Sequence, residues 1–190
     1  CQAYFELFLN AGGQFIQQEV RALERASNGH WQIQTGSATL SAQQIVVCLG
    51  PWSQQLMRTI GVKLPMIFER GAHRMYTTLE PESSTLHRPV FDAEGGFVVA
   101  PMSSGYRLTC GVYLDQLEQP YASRQLEFSD RLARQRLPLG EADSNQADWI
   151  GCRPSTPDYL PYIGQTQHSG IWLNTGHQHL GLTMAPASAQ

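Results

Sequence analysis

The sequence predicts a mixed α/β chain, α+β in the way strands and helices segregate, and three observations predict it. Residues 65–147 alternate strand-like runs with glycine and serine turns, the texture of an antiparallel sheet. Residues 45–49 form a short all-apolar run that stops at Gly50, the composition of a strand covered on both faces in a parallel sheet. From residue 171 onward a short strand, a glycine turn and a helix start follow in close order.

The elements are justified in turn. Residues 3–10 carry Tyr4, Phe5, Leu7, Phe8 and Leu9 at helical spacing, and Gly12-Gly13 supplies a stop that tolerates positive φ. Residues 14–25 and 30–35 read as two strands joined across Asn28-Gly29, with Trp31 and Ile33 alternating with polar neighbours, a small β-meander. After the apolar run at 45–49, Gly50-Pro51 turns the chain and Ser53 is placed to cap a helix bearing Leu56, Met57 and Ile60, which Gly61 ends. In the antiparallel stretch, residues 97–100 and 106–112 are the clearest strands, around turns at Gly95-Gly96 and Ser103-Ser104-Gly105. Residues 125–135, with Leu126, Phe128 and Leu132, read as its helix and 138–145 as a linker. Residues 171–174 are a strand and Leu180 begins the closing helix. The division expected is 1–64, then an antiparallel lobe at 65–148, then a return to the first part at 149–190.

Composition excludes several function classes. In 190 residues, 42% are hydrophobic, enough for a sizeable core, and the net charge of -3 with scattered Lys and Arg leaves no footprint for nucleic acid. No run of about 18 apolar residues exists to span a bilayer, and the start lacks the basic region of a signal peptide. A cytoplasmic protein is expected, with membrane contact, at most peripheral, at the inner membrane. The cysteines Cys1, Cys48, Cys110 and Cys152 form no C-x-x-C pair, so no metal is expected; Cys48 and Cys110 read as small buried hydrophobes in a reducing compartment.

Chemistry concentrates in the last forty residues. Arg153 lies in Gly151-Cys-Arg-Pro-Ser-Thr-Pro-Asp158, after a strand-like approach and before a proline-stiffened loop. Its planar fork of donors matches a carboxylate bidentately; the competing reading is a structural arginine paired with Asp158. Gly176-His-Gln-His-Leu-Gly181 joins a strand to a helix, so free amides and the positive end of the helix dipole face whatever sits above the strand end, although His177 and His179 also suit an exposed loop.

Four ordered stretches, the hairpin from Gly13 to Val20, Ile45-Val-Val-Cys-Leu-Gly-Pro-Trp-Ser53, Glu69-Arg-Gly-Ala-His73 and the C-terminal pair just described, resemble the FAD-dependent amine and amino-acid oxidoreductases of the D-amino acid oxidase superfamily. Among them, the branch with glycine oxidases and bacterial D-amino acid dehydrogenases is the nearest in pattern. The resemblance implies part of a Rossmann-like FAD domain with a β-meander, plus an antiparallel substrate domain. It implies FAD as cofactor, a small amino acid as substrate and oxygen or a quinone as electron acceptor. The family's G-x-G-x-x-G turn is absent from these residues, so an N-terminal segment of the same protein is expected as a partner.

By the same resemblance, Arg153 binds the substrate carboxylate, and His73, Tyr76 and Phe97 reach the substrate cavity, Phe97 standing where a glycine oxidase has a tyrosine. Val20, Gly50, Trp52 and the stretch Gly176, His177, Gln178, His179, Leu180, Gly181, Leu182 and Thr183 are the cofactor-binding candidates. A strand valine and a tryptophan after a buried strand serve packing equally well. The implied reaction is hydride transfer from Cα to the flavin, giving an imino acid that hydrolyses. A sarcosine- or hydroxyproline-type enzyme of the same superfamily and a non-catalytic binding lobe are the alternatives.

Overall fold

The structure, a computed structural model, describes residues 1–78, 86–117, 119 and 124–190. These divide into two compact units, one of residues 1–48, 52–64 and 163–174 and the other of residues 49–51, 65–162 and 175–190.

The first unit opens with α1 (Gln2–Asn10), which ends where Gly12 takes φ +87° and the Gly13 amide reaches back to the Phe8 carbonyl. The meander follows as β1 (Val20–Arg25), β2 (Trp31–Thr35) and a third strand, β3 (Thr39–Ala42), that the sequence pattern did not reveal. Gly29, at φ +83°, closes the hairpin turn and Asn28 Oδ1 accepts the His30 amide, so the turn chemistry acts as read. β1 is shorter than residues 14–25. The run at 45–49 contains β4 (Ile45–Val47), which pairs parallel with β12 (Ile171–Thr175), and β11 (Tyr162–Gln165) lies on the other side of β12. Val47 is buried, but Val46 and Cys48 are exposed, so the expected cover on both faces is found on one. A 3₁₀ turn (Gly50–Trp52) leads into α2 (Ser53–Arg58). Ser53 is not its cap: Trp52 holds that position, Ser53 is fully buried, and no side chain caps the helix.

The second unit is built on a six-stranded sheet in the order β10-β5-β8-β7-β6, with β9 pairing β5 at its far end. Its strands are β5 (Ile67–Thr78), β6 (Val90–Asp92), β7 (Phe97–Met102), β8 (Gly105–Asp115), β9 (Leu139–Ala142) and β10 (Trp149–Ser155). Every pairing in it is antiparallel. The core lies on one sheet face: Ala72, Tyr76, Phe97, Val99, Tyr106, Leu108 and Cys110 pack against Leu126 and Ala133 of α3 (Arg124–Arg136). Each large apolar side chain so buried contributes roughly 1.5–3 kcal/mol. The segment read as a linker corrects to a strand, because Leu139 is buried and Tyr76↔Ala142 and Thr78↔Leu139 pair across the ladder. Alternation along β5 fixes the rest: Ala72 and Tyr76 point to α3, so residues of odd number between them point away. Beside Gly71 the ladder slips, and Gly111, at φ +78°, absorbs the irregularity in β8.

Candidate active site

The candidates Arg153 and His73 lie on the sheet face turned away from α3, along the ladder of β5 and β10. There Trp149 stands opposite His73, Gly151 opposite Gly71 and Arg153 opposite Glu69. The indole of Trp149 stacks on the His73 imidazole with centroids 5.0 Å apart and planes 15° from parallel. The same indole lies over Gly151, where a Cβ would fall 2.0 Å from its ring. The guanidinium of Arg153 lies over Gly71, where a Cβ would sit 3.1 Å from Nη1 and 2.7 Å from the Gly111 carbonyl oxygen. Two facing glycines thus make a floor low enough for a cation and an aromatic ring to rest on it.

Among the described residues Arg153 has no hydrogen bond and no ion pair, and its Nη1 is buried without a partner. The alternative of an Arg153–Asp158 pair is not realised, since Asp158 turns its Oδ1 to the amide of Leu160 at 3.1 Å. A buried donor left unmade costs about 1–3 kcal/mol, more when charged, and an incoming carboxylate removes that cost while accepting both arms of the fork.

The strand carrying Arg153 runs into the second group of candidates. The amide of Gln178 donates to the Pro154 carbonyl at 3.3 Å, and the Thr175 hydroxyl donates to the Gly50 carbonyl at 3.2 Å. Gly176 (φ +82°) and Gln178 (φ +56°) both take left-handed conformations, and a Cβ on Gly176 would lie 2.9 Å from Thr156 Cγ2. After this tight path comes α4 (Gly181–Ser188), with Leu180 as its cap residue and no capping side chain. The first-turn amides of Gly181, Leu182 and Thr183 therefore have no intrahelical acceptor and carry the positive end of the dipole. Among the described residues, His177 Nε2, Ser155 Oγ and Thr156 Oγ1 are buried without hydrogen-bond partners. Burial lowers the His177 pKa, so the ring is neutral near pH 7. His179 and Leu180 are exposed beside the helix start.

Of the expected residues, Arg153, Gly50 and the 176–183 stretch are thus brought together, and His73 shares the Arg153 face. Burial, then the charge of Arg107, lower the His73 pKa against an opposing pull from Asp148. Tyr76 and Phe97 are not brought to that face. They are 0% and 1% exposed in the helix-side core, and the Tyr76 hydroxyl is committed to Asp130. Val20, half-buried at the start of β1, and Trp52, 58% exposed, belong to the other unit. Sequence reasoning missed Trp149 and the glycine pair Gly71/Gly151, which only the strand register brings together; the misplacing of Tyr76 could have been found from parity, since His73 and Tyr76, three apart on a strand, cannot share a face.

The chain matches, over residues 1–190, the family described as DAO, FAD dependent oxidoreductase, and it belongs to that family. It is 33% identical over 161 residues to a glycine oxidase of Pseudomonas putida, covering 83% of this chain and 42% of that one. To a D-amino acid dehydrogenase of Dechloromonas aromatica it is 34% identical over 154 residues, covering 81% and 37%. The chain therefore spans about two fifths of the length of these relatives. In fold it is similar to the crystal structure of glycine oxidase from Geobacillus kaustophilus, with a TM-score of 0.78 at 22% identity over 95% of this chain and 48% of that one.

FAD is the cofactor of this family. The residues present fit it: an uncapped helix start, the buried unpartnered Nε2 of His177 and the close glycine path at Gly176 offer donors and room for the carbonyl edge of a flavin ring. Residues 176–183 would hold that edge.

Proposed function

We propose that the chain serves an FAD-dependent enzyme that oxidises the C–N bond of a small amino acid, a D-amino acid or a glycine-like substrate. The observation that carries this reading is the unpaired Arg153 guanidinium, with buried Nη1, one residue from the Pro154 carbonyl that anchors Gln178 and the α4 start. A carboxylate-binding fork and an anion-favouring helix start on adjoining segments are what oxidation of an amino acid requires. In the same reading, residues 65–148 form the substrate lobe and residues 1–64 and 149–190 the cofactor-facing part, with Val20, Gly50 and Trp52 on its cofactor side.

When bound, FAD supplies the two-electron acceptor for a hydride leaving the substrate Cα. Arg153 fixes the carboxylate through two charge-assisted hydrogen bonds and so sets the direction of the Cα–H bond. Such orientation lowers the barrier by several kcal/mol, on the order of 7 in favourable cases. The α4 amides favour negative charge at the helix start without a side-chain cation. His73, neutral near pH 7, accepts a hydrogen bond from the amine or packs beside it. The amine nitrogen loses a proton as the C=N bond forms, and water then releases ammonia from the imino acid. Oxygen or a quinone would be the final electron acceptor. The reading extends to amino-acid catabolism in the cytoplasm, where free thiols such as those here stay reduced. Among the described residues, no helix is long and apolar enough to cross a membrane.

An anaerobic visible spectrum of the full protein tests the reading. Added D-amino acids, glycine, sarcosine and hydroxyproline should include at least one amino acid that bleaches an oxidised-flavin band. A protein that cannot be loaded with FAD, or a loaded one that only simple amines reduce, would overturn it.

A further inference from the structure

The site carries more than a carboxylate fork. Trp149 is 54% exposed, yet its indole is held on both sides of its position, by the His73 ring stacked against it and by Gly151 beneath it. A tryptophan that served packing alone would be expected to bury most of its 150–250 Å². Gly151 and Gly71 are direct partners in the ladder, with Cα atoms roughly 4.5–5.5 Å apart in such a pair. The indole over one and the guanidinium over the other therefore rest on neighbouring floor positions. No cation–π contact joins the Arg153 guanidinium to the indole among the described residues. The part of Trp149 left exposed is therefore not covered by the Arg153 cation. Beyond His73, Met75 continues the same parity along β5, so an aromatic and thioether row runs away from the fork.

We propose that Trp149, backed by His73, is a specificity-determining residue that receives the apolar side chain of a substrate whose carboxylate is held by Arg153. This rests on the functional reading above and extends it: the favoured substrates are amino acids with an apolar or aromatic side chain. The physical reason is a division of labour over two adjacent glycines. The cation takes the charged end, and the indole desolvates what lies next to it. Arg107, paired with Met75 across β8, stands at the far end of the row, so a second carboxylate on the ligand is the rival chemistry and belongs in the test.

The experiment uses the full protein loaded with FAD and three carboxylates that carry no oxidisable amine: acetate, 3-phenylpropanoate and glutarate. Dissociation constants come from calorimetry and from perturbation of the flavin band. The unaltered protein is expected to bind 3-phenylpropanoate about tenfold more tightly than acetate or glutarate, the size of one well-placed aromatic contact. Trp149→Ala should erase that preference and leave acetate unchanged. Gly151→Ala, whose new Cβ must push the indole aside, should erase it too and covers the case in which Trp149→Ala fails to fold. Arg153→Ala should weaken all three ligands. A preference that survives displacement of the indole, or tighter binding of glutarate than of 3-phenylpropanoate, overturns the proposal while the functional reading stands. Loss of flavin in Trp149→Ala with the ligand preference intact in Gly151→Ala also overturns it, making Trp149 a cofactor support. If Arg153→Ala leaves acetate binding untouched, the functional reading itself fails.

Discussion

The amide of Gln178 donates to the carbonyl of Pro154 at 3.3 Å, which ties a left-handed residue before the last helix to the neighbour of Arg153. That bond makes one arrangement of two sequence motifs that lie more than twenty residues apart. It sets where the α4 amides start relative to the strand that bears the guanidinium. The same junction holds Thr175 to the Gly50 carbonyl, so the glycine after the apolar run joins it.

Gly176→Ala should damage this junction directly. A left-handed alanine costs about 1–2 kcal/mol, and its Cβ would meet Thr156 Cγ2 at 2.9 Å. The expected outcome in urea denaturation is a loss of about 1–3 kcal/mol, together with a lower flavin content in the purified full protein. Unchanged stability and full flavin content would remove Gly176 from the site.

Gly71→Ala tests the glycine floor. Its Cβ would lie 2.7 Å from a backbone oxygen and 3.1 Å from Arg153 Nη1, so both the strand and the guanidinium must shift. KM for an amino-acid substrate should rise about tenfold or more, since small displacements of an orienting group are costly. KM for a simple amine of the same shape should move little.

Tyr76→Phe should act on stability and not on substrate. The hydroxyl donates to Asp130 Oδ1 on the α3 side of the sheet, in a core that burial makes water-poor, and burial first and that hydrogen bond second push the phenol well above its ordinary pKa. Its loss should cost about 1.5–3 kcal/mol in chemical denaturation, as for a hydrogen bond to a charged group. KM should stay as it was, because no part of Tyr76 reaches the open face.

The same carboxylate gives a pH dependence. Burial alone would raise the Asp130 pKa, but hydrogen bonds from Tyr76 and Arg134 and the charges of Arg134 and Arg74 outweigh it, and the net shift is downward. A carboxyl depressed in the folded state stabilises above its unfolded pKa of about 3.9, and this stabilisation fades as pH falls through the folded value. Thermal unfolding of the native chain should therefore weaken below about pH 4. Asp130→Asn should be less stable at pH 7 but show a shallower decline over that acid range.

Much of this was legible in the residues, and the failures have physical causes. The helix at 125–135, the meander around Asn28-Gly29 and the strand, turn and helix at the end were carried by periodicity and turn chemistry, signals that belong to the local chain. The strand at Leu139–Ala142 was read as a linker because four residues beside a proline have no period of their own; only the edge of β5 recruits them. Ser53 suits a cap by type, yet the preceding 3₁₀ turn leaves it inside the first turn. Arg153 stood out through its place in Gly151-Cys-Arg-Pro-Ser-Thr-Pro-Asp158, while the competing pair with Asp158 is decided only by the folded chain, where Asp158 Oδ1 accepts the Leu160 amide. Trp149 did not, since nothing in the sequence tells that Gly151 and Gly71 face each other; that pairing comes from register alone.

The most direct test of the role given to Arg153 is a comparison of KM in the full flavin-loaded protein and in Arg153→Ala, for an amino-acid substrate and for the amine that lacks its carboxylate. If the fork holds the carboxylate, the substitution raises KM for the amino acid by roughly 10- to 100-fold, the worth of a charged hydrogen-bonded pair, and barely moves KM for the amine. Equal changes for the two, or none for the amino acid, would contradict it.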